Sequence, residues 1–227
     1  MWKNLTMRRK SPRRLALAAT ALAGVLLTGC SAPSPVPTSS ASIARPSQES
    51  AVLARADSHH LLKSANAKAA LVLFTDFQCP YCAEIDPLIR QVANDYAGRI
   101  NVVVRNLPLP MHQNAGPGAQ AVEAAASQGK LSEMMGLVLG GQEEWSKAAD
   151  PQPVFTEYAQ RLGLDAEKFA AAYTSAAVQE RISRDYSDAV ALGLRGTPSL
   201  ILNGKMLRLD SYTYDEIKVP LDAALAS

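Results

Sequence analysis

An uninterrupted apolar segment occupies residues 69–75 of the chain. Because polar residues do not alternate with its Ala, Leu, Val and Phe side chains, the segment is typical of a central strand covered on both faces. Behind it, apolar residues from Ile85 to Tyr96 recur at helical spacing, and residues 99–105 form another β-branched run. The order strand, helix, strand predicts a parallel unit.

A long helical block follows this unit. Residues from about 115 to 193 are rich in Ala, Gln, Glu, Leu and Met, with apolar side chains at helical intervals. After the block, residues 199–203 and 206–209 flank an Asn-Gly pair, which predicts a β-hairpin, and a closing helix is expected over residues 214–226. The pattern predicts an α/β architecture, a small mixed sheet interrupted by a helical insertion.

The amino-terminal thirty residues have the organisation of an export segment. Basic residues lie between positions 8 and 14, an apolar run covers 15–27, and the tetrapeptide Leu-Thr-Gly-Cys that ends at Cys30 resembles the bacterial lipobox. In a lipobox the cysteine becomes the lipid-modified first residue of the mature protein. We therefore predict a lipoprotein signal peptide over residues 1–29 and lipid attachment at Cys30. Cleavage elsewhere, with Cys30 incidental, is the alternative.

A tether and one domain are predicted beyond the export segment. Residues 30–50 are dense in Ser, Pro and Ala and cannot bury enough apolar surface to fold. Residues 51–227 are long enough for one domain with a hydrophobic core, and the helical block at about 115–193 is an insertion within it.

The charge balance argues against a nucleic-acid partner. Six of the 23 Lys and Arg residues and none of the 21 Asp and Glu residues precede Cys30, so the remaining chain carries a net charge of −4. A mildly acidic body without a dense basic run lacks the electrostatic footprint of a protein that binds phosphate backbones.

Cys79 and Cys82 are the cysteines left for chemistry once Cys30 is assigned to the anchor. The helical periodicity behind them places the pair at the amino end of a helix, where free N–H groups and the helix dipole favour thiolate. We predict that Cys79 is an exposed nucleophile with a lowered pKa and that Cys82 is a buried resolving thiol. The intervening Pro80-Tyr81 dipeptide adds no positive charge.

Two other uses of the cysteine pair remain possible from the residues alone, a structural disulfide and half of a zinc site. The zinc site would need ligands that the chain does not offer at suitable spacing, because His59 and His60 are adjacent and His112 stands alone in a Pro-rich segment. We therefore expect no metal and no cofactor.

A proline at a strand entry is the second chemical signal. Pro198 precedes the predicted strand at a position that normally rejects proline. A cis Thr197-Pro198 bond would explain it and would let the backbone there pair with an extended polypeptide beside Cys79. An ordinary trans loop proline is the alternative.

The motifs together resemble those of the DsbA-like thioredoxin-fold family. Residues 74–82, Phe-Thr-Asp-Phe-Gln-Cys-Pro-Tyr-Cys, resemble its active-site segment, and residues 105–115, 128–130 and 196–198 resemble later landmarks in the same order. The resemblance covers about residues 61–225. It implies a thioredoxin fold with an inserted all-helical domain and thiol-disulfide exchange on exported proteins. It also implies a cis Thr197-Pro198 bond beside the cysteines, where we expect Thr197 and Pro198 to bind the substrate chain.

One departure from the family concerns proton transfer. Many members carry a buried Glu six residues before the first cysteine, thought to accept the proton of the resolving thiol, and this chain has Leu73 there. A relay through that carboxylate is excluded. Asp76 lies nearer the helix start, where it either helps through water or serves as a loop or cap residue.

Several functions remain open at this point. The first is a moderate oxidant that donates disulfides to exported proteins, acting as a monomer in the cell envelope and recycled by an unidentified membrane redox partner. A reductase or isomerase kept reduced by a membrane electron donor would use the same residues. A non-catalytic binding lipoprotein is a third possibility. The export segment argues against a cytosolic glutaredoxin.

Overall fold

A mixed five-stranded sheet organises residues 53–226, the part of the chain that the computed structural model describes. Its strands are β1 (His59–Leu62), β2 (Ala69–Thr75), β3 (Ile100–Asn106), β4 (Ser199–Leu202) and β5 (Lys205–Leu207). They lie in the order β1-β3-β2-β4-β5, and β2 and β3 are the parallel pair. The predicted signal peptide, Cys30 and the tether fall outside the described residues.

The continuous apolar character of β2 follows from burial on both faces. Leu71 and Leu73 belong to one hydrophobic cluster, whereas Val72 and Phe74 belong to another. Successive side chains of a strand point to opposite faces, so the two clusters lie on the two sides of the sheet. The predicted central strand and its parallel pairing with β3 are confirmed.

Helices cover both faces of this sheet. They are α1 (Pro80–Asp95), α2 (Ala115–Ala126), α3 (Leu131–Gly140), α4 (Gln142–Trp145), α5 (Gln152–Arg161), α6 (Ala166–Tyr173), α7 (Ala176–Ala191) and α8 (Tyr214–Ala226). Helices α2 to α7 lie between β3 and β4 in the chain, and the predicted fold class, a thioredoxin fold with a helical insertion, is confirmed. Within residues 53–226, no helix has the length and apolar character needed to cross a bilayer.

Some predicted boundaries were wrong. Strand β1 was not predicted, because its four residues show no alternation and their burial is only partial. Strand β5 ends at Leu207 instead of continuing to residue 209. The hairpin turn itself is as predicted, since Asn203 and Gly204 both adopt positive φ, at 47° and 83°.

A buried ionic cluster attaches α7 to the sheet. The Arg105 guanidinium, fully buried on β3, donates hydrogen bonds to Asp185 at 2.7 Å and to Asp188 at 2.6 Å. Asp185 also accepts hydrogen bonds from the backbone and side-chain amides of Asn106. Asp188 accepts two further bonds from Arg55. The cluster holds α7 against the carboxyl end of β3, which pairs with the end of β2 that precedes the cysteines.

Candidate active site

The turn after β2 places the cysteine pair. Cys79 is the N-cap of α1 with extended backbone angles, and its N–H donates to the Asp76 carbonyl at 3.1 Å. Pro80 occupies the first helical position, where its missing N–H costs no hydrogen bond. Cys82 lies one turn along the helix and is buried among the core side chains. The predicted helix start and the buried position of Cys82 agree with the structure.

Cys79 itself is buried, which contradicts the prediction of an exposed thiol. Only 4% of the residue is accessible. The Thr197 carbonyl oxygen lies 3.5 Å from the Cys79 sulfur, and the Gln142 side-chain amide donates to the carbonyls of Phe77 and Cys79. The segment at Thr197, 118 residues further along the chain, therefore lies against the thiol, and helix position alone could not reveal this contact.

Hydrogen bonds nevertheless favour the charged form of Cys79. A hydrogen bond from the Cys82 thiol, with smaller contributions from the Thr197 side chain and from the amides of Cys82 and Tyr81, lowers the pKa of Cys79 to about 5, although burial acts in the opposite direction. The amides at the start of α1 have no partner within the helix and are free to donate to a sulfur. The predicted lowering of this pKa agrees with the geometry.

Cys82 has the opposite electrostatic environment. Burial, followed by the hydrogen bond with Cys79 and the charge on that sulfur, raises the pKa of Cys82 above its ordinary value. Both cysteines are free thiols in this structure. The lowered pKa of Cys79 and the raised pKa of Cys82 favour a thiolate on Cys79 and a thiol on Cys82, which is the arrangement needed for an asymmetric exchange reaction.

The segment before β4 brings the second motif to the cysteines. The Thr197-Pro198 peptide bond is cis, and the Thr197 carbonyl contacts the Cys79 sulfur. Both features were predicted from the sequence. The binding of a client backbone by Thr197 and Pro198 stays a prediction.

Asp76 holds the active-site turn against the loop that follows β3. Its buried carboxylate accepts hydrogen bonds from the N–H groups of Gln78 and Leu109, each at 2.8 Å. The Nδ1 atom of His112 lies 2.7 Å from the same carboxylate. Asp76 therefore fixes the loop, which is one of the two roles predicted for it. His112 was predicted to be an ordinary loop residue, and in the structure it is the partner of Asp76.

An aromatic pair beside the cysteines was missed by sequence reasoning. Tyr81, which is 56% exposed, stacks on Tyr212 with ring centroids 6.0 Å apart. Tyr212 has a positive φ of 49°, and the Glu216 carboxylate accepts hydrogen bonds from the surrounding N–H groups of Asp210, Ser211 and Thr213. The Thr-x-x-Glu spacing at the start of α8 is a capping-box signal and could have indicated this loop.

We predict that alkylation of Cys79 by iodoacetamide follows a single ionisation with a midpoint near pH 5. Only the thiolate reacts, so the rate constant should rise about tenfold per pH unit below the midpoint and become constant above about pH 6. Stopped samples analysed by peptide mass spectrometry give the rate for each cysteine separately. At neutral pH, Cys82 should stay unmodified while Cys79 reacts.

A Cys82→Ala variant is the control for the cause of this low pKa. It removes the donor that lowers the pKa most, so the alkylation midpoint should move upward. A midpoint near the free value of about 8.5 in the unmodified protein would contradict the assignment. Faster reaction of Cys82 than of Cys79 would contradict the placement of the helix start.

Comparison with families and curated proteins gives two results. A model of the family described as thioredoxin matches residues 56–223. The Na(+)/H(+) antiporter NhaA 3 of Salinispora tropica is 33% identical over 172 residues, covering 75% of this chain and 25% of that protein. The NhaA antiporter of Herminiimonas arsenicoxydans is 34% identical, with 73% and 25% covered. The chain thus spans about a quarter of the length of these curated relatives.

Solved structures share the fold at low sequence identity. The thiol-disulfide exchange protein α-DsbA2 of Wolbachia pipientis superposes with a TM-score of 0.66 at 20% identity, covering 78% of this chain and 92% of that one. The catalytic domain of ScsC from Proteus mirabilis gives 0.64 at 20% identity, with 80% and 97% covered. Oxidised BdbD of Bacillus subtilis gives 0.62 at 17% identity, with 73% and 92% covered. The similarity shows a common fold.

Proposed function

The chain belongs to the thioredoxin family, and from that premise we propose that it is a thiol-disulfide oxidoreductase, a moderate oxidant that donates the Cys79–Cys82 disulfide to exported proteins. The observation that carries this proposal is the placement of Cys79 at the amino end of α1, beside the Thr197 carbonyl, with Cys82 buried one turn further along the helix. The pKa of Cys79 is lowered to about 5, whereas that of Cys82 is raised. A stabilised Cys79 thiolate favours the reduced form of the enzyme and makes its disulfide an electron acceptor.

The proposed reaction consists of two exchanges. A client thiolate attacks the Cys79 sulfur of the oxidised enzyme, the Cys79–Cys82 bond breaks, and Cys82 leaves with the electron pair and takes up a proton. A second client thiolate then attacks the client sulfur of the mixed disulfide, and Cys79 leaves as a thiolate. The client loses two electrons and gains a disulfide, and the enzyme ends as the dithiol.

The size of the oxidising effect follows from the pKa of Cys79. At pH 7 a thiol of pKa about 5 is almost fully ionised. The difference of about two units between pH 7 and this pKa corresponds to about 2.7 kcal/mol in favour of the reduced enzyme. For a two-electron couple this raises the reduction potential by about 60 mV. Since the Pro80-Tyr81 dipeptide contributes no positive charge, we propose a moderate oxidant.

The experiment that tests the direction is equilibration of the enzyme with glutathione, followed by separation of dithiol and disulfide after acid quenching. The expected potential is clearly less reducing than the about −270 mV of thioredoxin, and the disulfide form should oxidise a reduced test protein. From pH 6 to 8 glutathione is protonated, whereas Cys79 of the reduced enzyme is a thiolate, so reduction of the enzyme by glutathione releases one proton. The equilibrium constant for this reduction should therefore rise about tenfold per pH unit.

The reductase is the alternative outcome of the same measurement. A potential as low as that of thioredoxin, with Cys79 and Cys82 trapped as the dithiol in intact cells by rapid alkylation, would overturn the oxidant and favour a reductase kept reduced by a membrane donor. Rapid alkylation in cells also tests whether a membrane redox partner reoxidises the pair, as we propose.

We further propose that the domain acts outside the cytoplasm as a lipid-anchored monomer. The support is sequence alone: an apolar run that ends at Cys30, then a tether over residues 30–50 and the domain over 51–227. The mature protein should begin at Cys30, partition into membranes and carry lipid there. A Cys30→Ala variant should remain uncleaved or become soluble. An unmodified mature terminus downstream of Cys30 in mass spectrometry would contradict the anchor.

A further inference from the structure

Two buried threonine hydroxyls near the active-site sulfurs have no hydrogen-bond partner. Within residues 53–226, four buried side-chain polar atoms lack a hydrogen bond, and two of them are the hydroxyl oxygens of Thr75 and Thr197. Thr197 lies beside Cys79, and Thr75 lies beside Cys82. A buried hydroxyl left unpaired costs free energy, so two such groups at one redox centre call for a physical reason.

Strand geometry places Thr75 on the side of the sheet that carries Cys82. Leu71 and Leu73 belong to the same hydrophobic cluster as Cys82, and alternation along β2 puts Thr75 on that face as well. Thr75 and Cys82 are each only 1% accessible. The Thr75 hydroxyl and the Cys82 sulfur therefore lie on the same face of the sheet, in a region from which water is largely excluded.

Cys82 needs such a donor during the reaction. When the Cys79–Cys82 bond opens, negative charge develops on a buried sulfur, and burial raises the pKa of that thiol. Leu73 stands at the position six residues before Cys79, so no carboxylate accepts or returns a proton from there. A hydrogen bond to a charged sulfur in a low-dielectric site is worth more than the same bond in water.

We propose that Thr75 is a catalytic residue whose hydroxyl donates a hydrogen bond to the charge that develops on the Cys82 sulfur as the Cys79–Cys82 bond breaks. This inference rests on the proposed exchange reaction and deepens it. Thr75 keeps its proton throughout. The electron pair stays on Cys82 until that sulfur is protonated, and in the closing direction the same bond stabilises the attacking Cys82 thiolate.

The inference predicts a kinetic effect without an equilibrium effect. Both end states contain an uncharged Cys82 sulfur, in the disulfide or in the thiol, so the Thr75 hydroxyl contributes mainly to the charged state between them. In Thr75→Val, opening of the enzyme disulfide by reduced glutathione should slow about tenfold or more, as expected for loss of a hydrogen bond to a charged group. Closing should slow by the same factor, and the glutathione equilibrium should stay within about twofold.

The experiment measures opening and closing rates by rapid quenching for the unmodified enzyme, Thr75→Val, Thr75→Ser and Thr156→Val. Thr75→Ser keeps the hydroxyl and should keep the rates within about threefold. Thr156→Val makes the same hydroxyl-to-methyl change in α5, where the side chain bonds to the Gln152 carbonyl, and should leave the rates unchanged. The alkylation midpoint of Cys79 should stay near pH 5 in Thr75→Val.

Stability separates this role from a structural one. Valine is nearly isosteric with threonine and replaces an unpaired hydroxyl, so the free energy of unfolding of Thr75→Val should not fall. A folded Thr75→Val variant with unchanged opening rate would overturn the inference alone. Slower opening with a correspondingly shifted equilibrium would overturn it too. If the unmodified protein exchanges no disulfide with glutathione, the proposed function fails first.

Discussion

A Cys79→Ser variant is expected to lose thiol-disulfide exchange completely, down to the uncatalysed rate. Serine cannot form a disulfide, and its hydroxyl is not ionised at neutral pH, so the client thiolate finds no sulfur to attack. The measurement is the rate of oxidation of a reduced test protein by the purified protein. The substitution replaces only the sulfur atom by oxygen, so we expect the fold to be retained.

A Cys82→Ser variant should give a different result from Cys79→Ser. Its remaining Cys79 can be linked to a client, but the mixed disulfide has no neighbouring thiol to resolve it, so covalent complexes should accumulate on non-reducing gels. Cys30→Ala is the matched control, because it removes the remaining cysteine and should leave the exchange rate of the purified protein unchanged.

Two outcomes would contradict this assignment of roles. Retention of a tenth or more of the exchange rate in Cys79→Ser would place the chemistry elsewhere. Accumulation of mixed disulfides in Cys79→Ser instead of Cys82→Ser would exchange the roles of the two thiols. An unmodified protein without exchange activity would favour the non-catalytic binding lipoprotein.

An Arg105→Met variant is expected to lose about 3–5 kcal/mol of the free energy of unfolding. The change leaves Asp185 buried without its guanidinium partner and leaves Asp188 with Arg55 alone. The pKa of Asp185 is already raised by burial in the intact cluster. Urea denaturation at pH 7 measures the loss.

The pH dependence of this loss has a definite sign. Without Arg105 the folded-state pKa of Asp185 should rise further above its unfolded value, so the charged carboxylate destabilises the fold at neutral pH. That penalty is relieved as the pH falls toward the folded-state pKa. The difference between Arg105→Met and the unmodified protein should therefore be smaller at pH 5 than at pH 7.

Lys168→Met provides the comparison for Arg105→Met. Lys168 is exposed and lies 3.5 Å from Asp165, so its removal should cost less than about 1 kcal/mol. A loss below 1 kcal/mol in Arg105→Met as well would mean that the carboxylates of Asp185 and Asp188 are satisfied without the guanidinium.

The features predicted correctly depend on neighbours in the chain. The apolar run of β2, the start of α1 behind Cys79 and the Asn203-Gly204 turn each follow from local residue order, which sets burial pattern, helix capping and backbone conformation. The cysteine pair was predicted for the same reason, since two residues between thiols determine their separation on a helix.

Contacts between distant segments determined the features that local residue order did not predict. The burial of Cys79, the pairing of Asp76 with His112 and the stacking of Tyr81 on Tyr212 join residues from 36 to 131 positions apart. No local periodicity records such contacts. The sequence by itself determined where the helix behind the cysteine pair begins and that the two thiols lie one turn apart on it. Only the folded chain decided how far each thiol is covered and which groups donate to it, because desolvation and hydrogen bonding depend on segments that meet in space.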